Sequence, residues 1–287
     1  MRKRRILIAG AHGFVGARAM WHFPGAVVVP GELLRECGES LSDYIKEQQP
    51  EFILNVAAIS DIGICEKNPE ASYRANVLLP VLLAKAARET GAKLISFSSD
   101  QVYTGCAGEG PYSESEELPV PANVYARHKL EAEKRVLDLL PESVMLRVTW
   151  MYDMPMYSVG MSADNANRGN FLLNTVKSVL RGQDITASSE EHRGITYVRQ
   201  VIRFLDQVFT LPGGVYNYGS ENSLNMYETA KALLDALKLN GSVRDTERMR
   251  HNLWMDAGKI RRHGIVFDTT AEGFRRCVQD YGLDRIL

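Results

Sequence analysis

Short apolar runs alternate with helix-like segments along the first 150 residues. The runs are rich in Val, Ile and Leu and are bordered by turn residues, as expected of buried parallel strands. This pattern predicts strands at 5–9, 25–29, 51–56, 92–98 and 144–149. Between them it predicts helices at 40–49, 78–89 and 125–140. Strands separated by helical crossovers predict an α/β fold with a doubly wound parallel sheet.

The alternation loosens after residue 149. Residues 151–168 are rich in Met, Tyr, Asp, Asn and Ser, which predicts a long loop. Further helices are predicted at 169–181, 198–209, 226–239 and 270–280, and one strand at 214–218. No repeat or low-complexity linker separates the halves. We therefore predict a sheet domain at 1–150 and a smaller, interleaved lobe at 151–287, with one strand and one helix (about 197–218) returning to the sheet domain.

Composition narrows the class of protein. Of the 287 residues, 45% are hydrophobic and 24% charged, as in soluble globular proteins, and the net charge of −1 argues against a nucleic-acid partner. The basic residues 2–5 precede an apolar run too short for a signal or membrane segment, so we expect a cytoplasmic protein without a membrane partner. The four cysteines are far apart and have no histidine at ligand spacing, so no metal site is expected.

A glycine triplet follows the first predicted strand. Gly10, Gly13 and Gly16 have the spacing G-x-x-G-x-x-G between a strand and a helix. Glycines let backbone amides approach a pyrophosphate, and the helix N-terminus supplies positive potential. We therefore predict a Rossmann-type dinucleotide site here, although a tight turn that binds nothing has the same pattern. His12 lies within this loop, where it either contacts a phosphate or fills space.

A Tyr-x-x-x-K pair, Tyr125 and Lys129, lies in a predicted helix. Residues four apart lie on one helix face, and a nearby cation favours the phenolate, so Tyr125 would serve as a general acid or base below its solution pKa of about 10. The pair alone also fits an ordinary surface helix. It gains weight from its position after the glycine loop and after a strand that ends in Ser98, Ser99 and Asp100. The Ser99 hydroxyl would hold a substrate carbonyl beside Tyr125.

With these motifs the chain resembles the extended short-chain dehydrogenases and, among them, the dTDP-4-dehydrorhamnose reductases. The resemblance covers essentially the whole chain. Besides the motifs above, it rests on segments 55–58, 65–69, 98–103, 121–129, 147–150, 169–171, 193–196, 214–217 and 252–256, and on Asn76.

The resemblance implies that NADPH or NADH reduces the 4-keto group of a nucleotide-linked 6-deoxyhexose. Its implied catalytic residues are Ser99, Asp100, Tyr125 and Lys129. The implied cofactor-binding residues, besides Tyr125 and Lys129, are Gly10, His12, Gly13, Phe14, Val15, Gly16, Asn55, Ala57, Ala58 and Asn76. The implied substrate-binding residues are Gln101, Trp150, Asn170 and Arg193. Arg193 would either pair with a diphosphate or be an ordinary solvated arginine.

Three departures from the family pattern bear on the substrate and the cofactor. Gln101 stands where the reductases usually have an aromatic residue, and the Gly-x-Pro-Thr motif is shortened at 194–196. The usual Leu-Asp pair after the second strand is missing. Glu32 and Arg35 lie there instead, and an acidic residue would reject a 2′-phosphate whereas a basic one would favour it. We expect a preference for NADPH, with NADH accepted within about tenfold.

Two other functions remain open on the same scaffold. One is a non-catalytic, dinucleotide-binding regulatory subunit like the β-subunit of methionine adenosyltransferase. The other is a nucleotide-sugar epimerase. A dehydratase is less compatible with the sequence. Dehydratases generally carry an Asp-Glu pair directly after the catalytic Ser or Thr, whereas here Gln101 follows Asp100, which argues against dehydration. The sequence leaves open the sugar, the nucleotide and whether the chain forms a homodimer.

Overall fold

The computed structural model describes residues 4–154, 169–246 and 251–282. Its centre is a six-stranded parallel sheet in the order β2-β1-β3-β4-β5-β10. The twelve strands described are β1 (Ile6–Ala9), β2 (Val27–Val28), β3 (Phe52–Asn55), β4 (Lys93–Ser99), β5 (Val144–Val148), β6 (Trp150–Tyr152), β7 (Ile185–Ala187), β8 (Glu191–Arg193), β9 (Ile195–Tyr197), β10 (Gly214–Tyr218), β11 (Val243–Asp245) and β12 (His251–Leu253). Because the winding direction reverses beside β1, a crevice opens at the carboxyl ends of β1 and β3.

Helices cover both faces of this sheet and also form part of a smaller group of elements that packs beyond it. They are α1 (Phe14–His22), α2 (Gly31–Glu36), α3 (Glu39–Gln48), α4 (Ile62–Lys67), α5 (Pro69–Tyr73), α6 (Leu79–Thr90), α7 (Val124–Leu139), α8 (Phe171–Leu180), α9 (Val198–Arg203), α10 (Leu205–Val208), α11 (Met226–Leu237), α12 (Gly258–Arg261) and α13 (Thr270–Asp280). Ile6 and Ile8 of β1 pack in a core with α1, α9 and α10, whereas Leu7 and Ala9 pack with α3 and α6. Alternate side chains of a buried strand thus enter two cores, and the predicted doubly wound α/β fold is confirmed.

A second, smaller group of elements packs beyond the sheet. Three short parallel pairs, β6–β9, β7–β11 and β8–β12, lie with α8, α11 and α13 around a core that includes Tyr152, Leu233 and Phe274. The chain returns to the central sheet between these elements, because β10 pairs with β5 along its whole length. The division into a sheet domain and a lobe at residue 150 stays a prediction.

Several elements differ from the sequence-based expectation. Strand β2 has only two residues and lies at the sheet edge. A π-helical turn, Arg74–Leu78, precedes α6, and Pro80 lies in the first turn of α6, where a missing N–H costs little. The helix predicted at 198–209 is two short helices. The loop predicted at 151–168 begins within β6, and its residues 155–168 lie outside the described residues.

The helices of the described ranges are too short or too polar to cross a bilayer.

Candidate active site

A cavity of about 1300 Å³ lies at the carboxyl ends of β1, β3 and β4. One side, here called the sheet wall, includes Gly10, Gly13, Ala57, Ser99, Tyr125 and Lys129. The opposite side, here called the lobe wall, includes Trp150, Asn170, Asn174, Ser178 and Thr186. The register explains the positions of Gly10, Ala57 and Ser99, because Ala9 pairs with Asn55 and Asn55 with Ser96, so the carboxyl ends of these three strands meet at one edge.

The glycine turn forms one end of the sheet wall. Gly10 has a φ of +91°, and a Cβ there would lie 2.6 Å from the Ala57 backbone nitrogen, so only glycine fits between β1 and β3. Gly16 does not line the cavity. It lets α1 pack directly on the Gly10 carbonyl, where a side chain would clash.

The N-terminus of α1 faces the cavity with free donors. Gly13 is its N-cap residue and makes no side-chain cap, and the first turn contains no acidic residue. Gly13, Phe14 and Val15 line the cavity, as does the exposed His12. Uncapped amides at a helix N-terminus attract anions, so this end of the cavity suits a pyrophosphate.

The segment after β3 is held by two buried asparagines. Asn55 Nδ2 donates to Ser96 Oγ (3.0 Å), and its Oδ1 accepts from the Ala57 backbone nitrogen (3.2 Å). Ala57 and Ala58 line the cavity. Asn76 does not line it, in contrast to the expectation of a cofactor contact. Its Nδ2 donates to the Ile59 carbonyl (2.9 Å), so Asn76 supports the wall from behind.

Helix α7 carries Tyr125 and Lys129, and two side chains fix its first turn. Asn123 Oδ1 accepts from the Ala126 nitrogen (2.8 Å), and Glu66 Oε1 accepts from the Val124 nitrogen (2.6 Å). Tyr125 and Lys129 are both buried and both line the cavity. The tyrosine ring packs with Cys65 of α4, a contact that the sequence analysis did not identify.

The ammonium group of Lys129 lies in a poorly solvated place. Its Nζ donates to the Phe97 carbonyl (2.9 Å). Burial lowers the pKa of Lys129 to about 8, and Glu133 one turn further along α7 opposes this shift. Lys129 therefore carries a charge at neutral pH and loses it under mildly basic conditions.

The expected lowering of the Tyr125 pKa is not found. Burial raises the pKa of the phenol above its usual value, and the neighbouring Ser99 hydroxyl offsets this only in part. Lys129 does not reverse the shift, because its Nζ is directed at Phe97 and lies 5.8 Å from the centre of the Tyr125 ring. Tyr125 is thus a neutral phenol at physiological pH.

Ser99 and Asp100, at the end of β4, join a buried polar group. Ser99 Oγ donates to Asp100 Oδ1 (3.1 Å) and accepts from the Gln101 backbone nitrogen (3.2 Å). Asp100 Oδ2 accepts from Arg193 Nη2 of β8 (2.6 Å). Arg193 was expected to bind a diphosphate, but its side chain is buried and does not line the cavity.

Three further residues expected to bind substrate do line the cavity. Trp150 is 48% exposed, and its ring stacks on the Arg193 guanidinium. Gln101 is buried, and its Oε1 accepts from Asn123 Nδ2 (3.3 Å). Asn170 caps α8, since its Oδ1 accepts from the Leu173 nitrogen (3.0 Å).

Most residues of the lobe wall were not predicted from the sequence. Asn174 and Ser178 follow Asn170 at intervals of four residues, so all three lie on one face of α8, a spacing that could have revealed them. Thr186 lies on β7, a strand of three residues that carries too little pattern to be recognised. After β2, Arg35 lines the cavity and Glu32 does not.

The parallel sheet, the glycine turn after β1 and the set of Ser99, Tyr125 and Lys129 define a protein of the extended short-chain dehydrogenase class. Within this class, the chain belongs to the family described as the RmlD substrate binding domain, whose model matches residues 4–252.

Two proteins with similar sequences have names that state different functions. The chain is 32% identical to the dTDP-4-dehydrorhamnose reductase of Escherichia coli over 160 residues, 51% of this chain and 52% of that protein. It is 28% identical to methionine adenosyltransferase 2 subunit beta of Xenopus laevis over 257 residues, 83% of this chain and 74% of that protein. The match thus spans about half the length of the reductase.

The fold has a counterpart among solved structures. The dTDP-4-dehydrorhamnose reductase of Bacillus anthracis, solved in complex with NADP, has a TM-score of 0.83 at 22% identity, over 98% of this chain and 99% of that chain. At this identity the similarity shows a shared fold.

Proposed function

We propose that this protein reduces the 4-keto group of a nucleotide-linked 6-deoxyhexose with NADPH or NADH. The observation that carries the proposal is that Ser99, Tyr125 and Lys129 lie together on one wall of a large cavity. The glycine turn belongs to the same wall. A reduced nicotinamide dinucleotide, when bound, supplies a hydride to the carbonyl carbon.

The residues present fit such a dinucleotide. The uncapped amides of Phe14 and Val15 would receive its pyrophosphate, and Gly10 keeps the turn close to the sheet. Lys129 uses one N–H on Phe97, which leaves donors for the hydroxyls of a ribose. The sheet wall therefore offers positive potential at one end and a buried ammonium at the other.

The state of Tyr125 suits reduction. A carbonyl that gains a hydride at carbon must gain a proton at oxygen, and a neutral phenol provides it. The proton passes from Tyr125 Oη to the carbonyl oxygen, and the charged Lys129 stabilises the phenolate left behind. The Ser99 hydroxyl would hold the carbonyl oxygen next to Tyr125.

The side chains of the lobe wall suit a substrate that has both polar groups and an apolar face. The exposed face of Trp150 offers an apolar surface of the kind that sugars pack against, and the hydroxyl of Ser178 and the amide of Asn174 line the same cavity. The likeness to the Escherichia coli reductase, whose name states its substrate, agrees with this choice.

The preference between NADPH and NADH depends on the residues after β2. Arg35 lines the cavity and Glu32 does not, so a 2′-phosphate near Arg35 would meet a cation. We therefore expect NADPH to be the better hydride donor and NADH to be accepted.

A second candidate function is a dinucleotide-binding regulatory subunit. The long match to methionine adenosyltransferase 2 subunit beta favours it. The retention of Ser99, Tyr125 and Lys129 as one cluster favours catalysis, because a protein that only binds has no need of the buried phenol.

The test is oxidation of NADPH or NADH by the purified protein with a panel of 4-keto nucleotide-sugars. Reduction of a member of the panel, lost on Tyr125→Phe, is the expected result. Tight dinucleotide binding without any turnover would contradict the reductase and leave the regulatory subunit. Interconversion of two nucleotide-sugars without net oxidation of the dinucleotide would indicate an epimerase instead.

A further inference from the structure

The Arg193 side chain is a buried cation to which the proposed reaction gives no direct role. It is buried and lies on β8, outside the cavity lining. The Trp150 ring, which does line the cavity, has its centre 3.6 Å from the Arg193 Cζ. A diphosphate in the cavity would therefore meet Trp150 before it could reach the guanidinium.

A continuous series of contacts leads from Arg193 to the proposed reaction site. Arg193 Nη2 contacts Asp100 Oδ2 at 2.6 Å, and both side chains are 2% exposed. The other carboxylate oxygen, Asp100 Oδ1, accepts the Ser99 hydroxyl at 3.1 Å. The Gln101 backbone nitrogen donates to Ser99 Oγ at 3.2 Å. Each oxygen of Asp100 thus has its own partner, and the Ser99 oxygen is held from two sides.

We propose that Arg193 is a positioning residue that acts through Asp100 to fix the Ser99 hydroxyl. This inference rests on the proposed function in one respect, namely that Ser99 holds the carbonyl group of the substrate. With Arg193 on one oxygen, the Asp100 carboxylate cannot turn without breaking a buried ion pair, so Oδ1 stays with Ser99. Ser99 Oγ therefore stays next to Tyr125. When a carbonyl binds there, the single hydroxyl proton of Ser99 turns from Asp100 Oδ1 to the carbonyl oxygen, while the Gln101 N–H continues to hold Oγ.

The same contacts make Asp100 unsuitable as a proton donor. One of its oxygens faces a guanidinium and the other accepts a hydrogen bond from the Ser99 hydroxyl, so both act as acceptors. Asp100 connects Arg193 of β8 to Ser99 at the end of β4. Its role in the reaction is to hold the Ser99 side chain in place through its ion pair with Arg193.

The kinetic test compares Arg193→Met and Arg193→Lys in two backgrounds, with Ser99 intact and with Ser99→Ala. With Ser99 intact, Arg193→Met should lower kcat by about tenfold to hundredfold, the range expected when a reacting group shifts by about 1 Å, and leave KM nearly unchanged. Arg193→Lys should recover part of the loss. In the Ser99→Ala background either change should cost less than about twofold, because both act through the missing hydroxyl. Equal losses in the two backgrounds would overturn the proposal.

Two measurements complete the test. Inhibition by dTDP alone should be unchanged by Arg193→Lys, whereas a marked weakening would show that Arg193 binds a diphosphate and would overturn the proposal. Urea unfolding needs no turnover: the shifts caused by Arg193→Lys and Ser99→Ala should be non-additive with Asp100 intact and additive with Asp100→Asn. Additive shifts in both cases would overturn the proposal. Absence of turnover by the wild type would count against the proposed function alone, since the unfolding measurement still decides whether the three residues are coupled.

Discussion

The two walls of the cavity are built differently. The sheet wall consists of backbone amides and buried side chains, and backbone hydrogen bonds to the side chains of Asn55, Asn123 and Glu66 fix its position. On the lobe wall, Asn174 and Thr186 are exposed side chains on short elements. A rigid wall suits a fixed cofactor and a fixed reaction, whereas exposed side chains suit the choice of a substrate. The comparison predicts that changes on the sheet wall affect rate and cofactor binding, and that changes on the lobe wall affect substrate binding.

The largest effect is expected from Tyr125→Phe. Loss of the phenolic proton should lower kcat by about 10² to 10⁴, since general acid catalysis commonly contributes that much. Dinucleotide affinity, measured by calorimetry, should change little, because in the proposed mechanism the hydroxyl serves the substrate carbonyl. Retention of most of the turnover would show that another group supplies the proton, and would remove the main chemical difference between the walls.

Lys129→Ala should affect both rate and cofactor binding. The ammonium serves the ribose and the phenol in the proposed mechanism, so kcat should fall by about a hundredfold or more and dinucleotide affinity should weaken. A matched control is Lys134→Ala, on the same helix but outside the cavity lining, which should leave both unchanged. If Lys129→Ala weakens neither quantity, the lysine has only a packing role.

The pH profile gives an independent check on Lys129. Burial lowers its pKa from 10.5 to about 8 in the unliganded protein, so the charged form dominates below that pH and is lost as pH rises through it. The kcat/KM of the wild type, which reports on the free enzyme, should therefore fall above a pH of about 8. The same limb should move to higher pH in Lys129→Arg if that variant retains activity. A flat profile up to pH 10 would contradict the assignment.

Gly13→Leu tests the glycine turn. A bulky side chain at the N-cap of α1 would occupy the approach to its amides, so we expect dinucleotide affinity to fall by about a hundredfold, or ~2.7 kcal/mol. Calorimetry measures this directly, and thermal unfolding in the absence of dinucleotide controls for folding. Wild-type affinity in a folded variant would mean that the pyrophosphate lies elsewhere.

The smallest effects are expected at the edges of the cavity. The double change Asn174→Ala and Ser178→Ala removes two polar groups of the lobe wall and should raise KM for the nucleotide-sugar by about tenfold to thirtyfold, if each makes one hydrogen bond of about 1 kcal/mol. Dinucleotide affinity should stay constant. If this double change weakened dinucleotide binding and left the KM for the nucleotide-sugar unchanged, the lobe wall would not be the substrate-binding wall.

Arg35→Ala should lower the ratio of NADPH to NADH affinity by at most about tenfold. Glu32→Ala, on the same helix but outside the cavity lining, is the matched control and should leave the ratio unchanged. The opposite result would exchange the roles of the two residues.

The sheet wall was largely predictable because its motifs are local. A glycine turn between a strand and a helix, a tyrosine and a lysine four residues apart, and a serine at a strand end each follow from short-range geometry. The structure brings Gly13, Tyr125, Lys129 and Ser99 to one cavity, as expected. Their catalytic and binding roles stay predictions. The lobe wall was recognised only at Trp150 and Asn170, since strands of three residues, such as β7, carry no recognisable period.

Burial and long-range contacts were outside the reach of sequence reasoning. The sequence placed Arg193 in the substrate site, but the fold pairs it with Asp100, 93 positions away. Asn76 was expected at the cofactor and instead supports Ile59. The sequence also suggested that Lys129 would lower the Tyr125 pKa, whereas burial raises it. Desolvation depends on everything packed around a group, and no spacing along the chain records that.

The sequence by itself determined the doubly wound sheet, the glycine turn and the order of the motifs, because hydrophobic period and turn chemistry act over a few residues. Only the tertiary structure decided which polar groups are buried, which oxygen of Asp100 faces Ser99, and that Arg35 reaches the cavity while Glu32 does not. These features depend on the packing of elements distant in the chain, and the free energy of a buried charge or hydrogen bond is set by that packing.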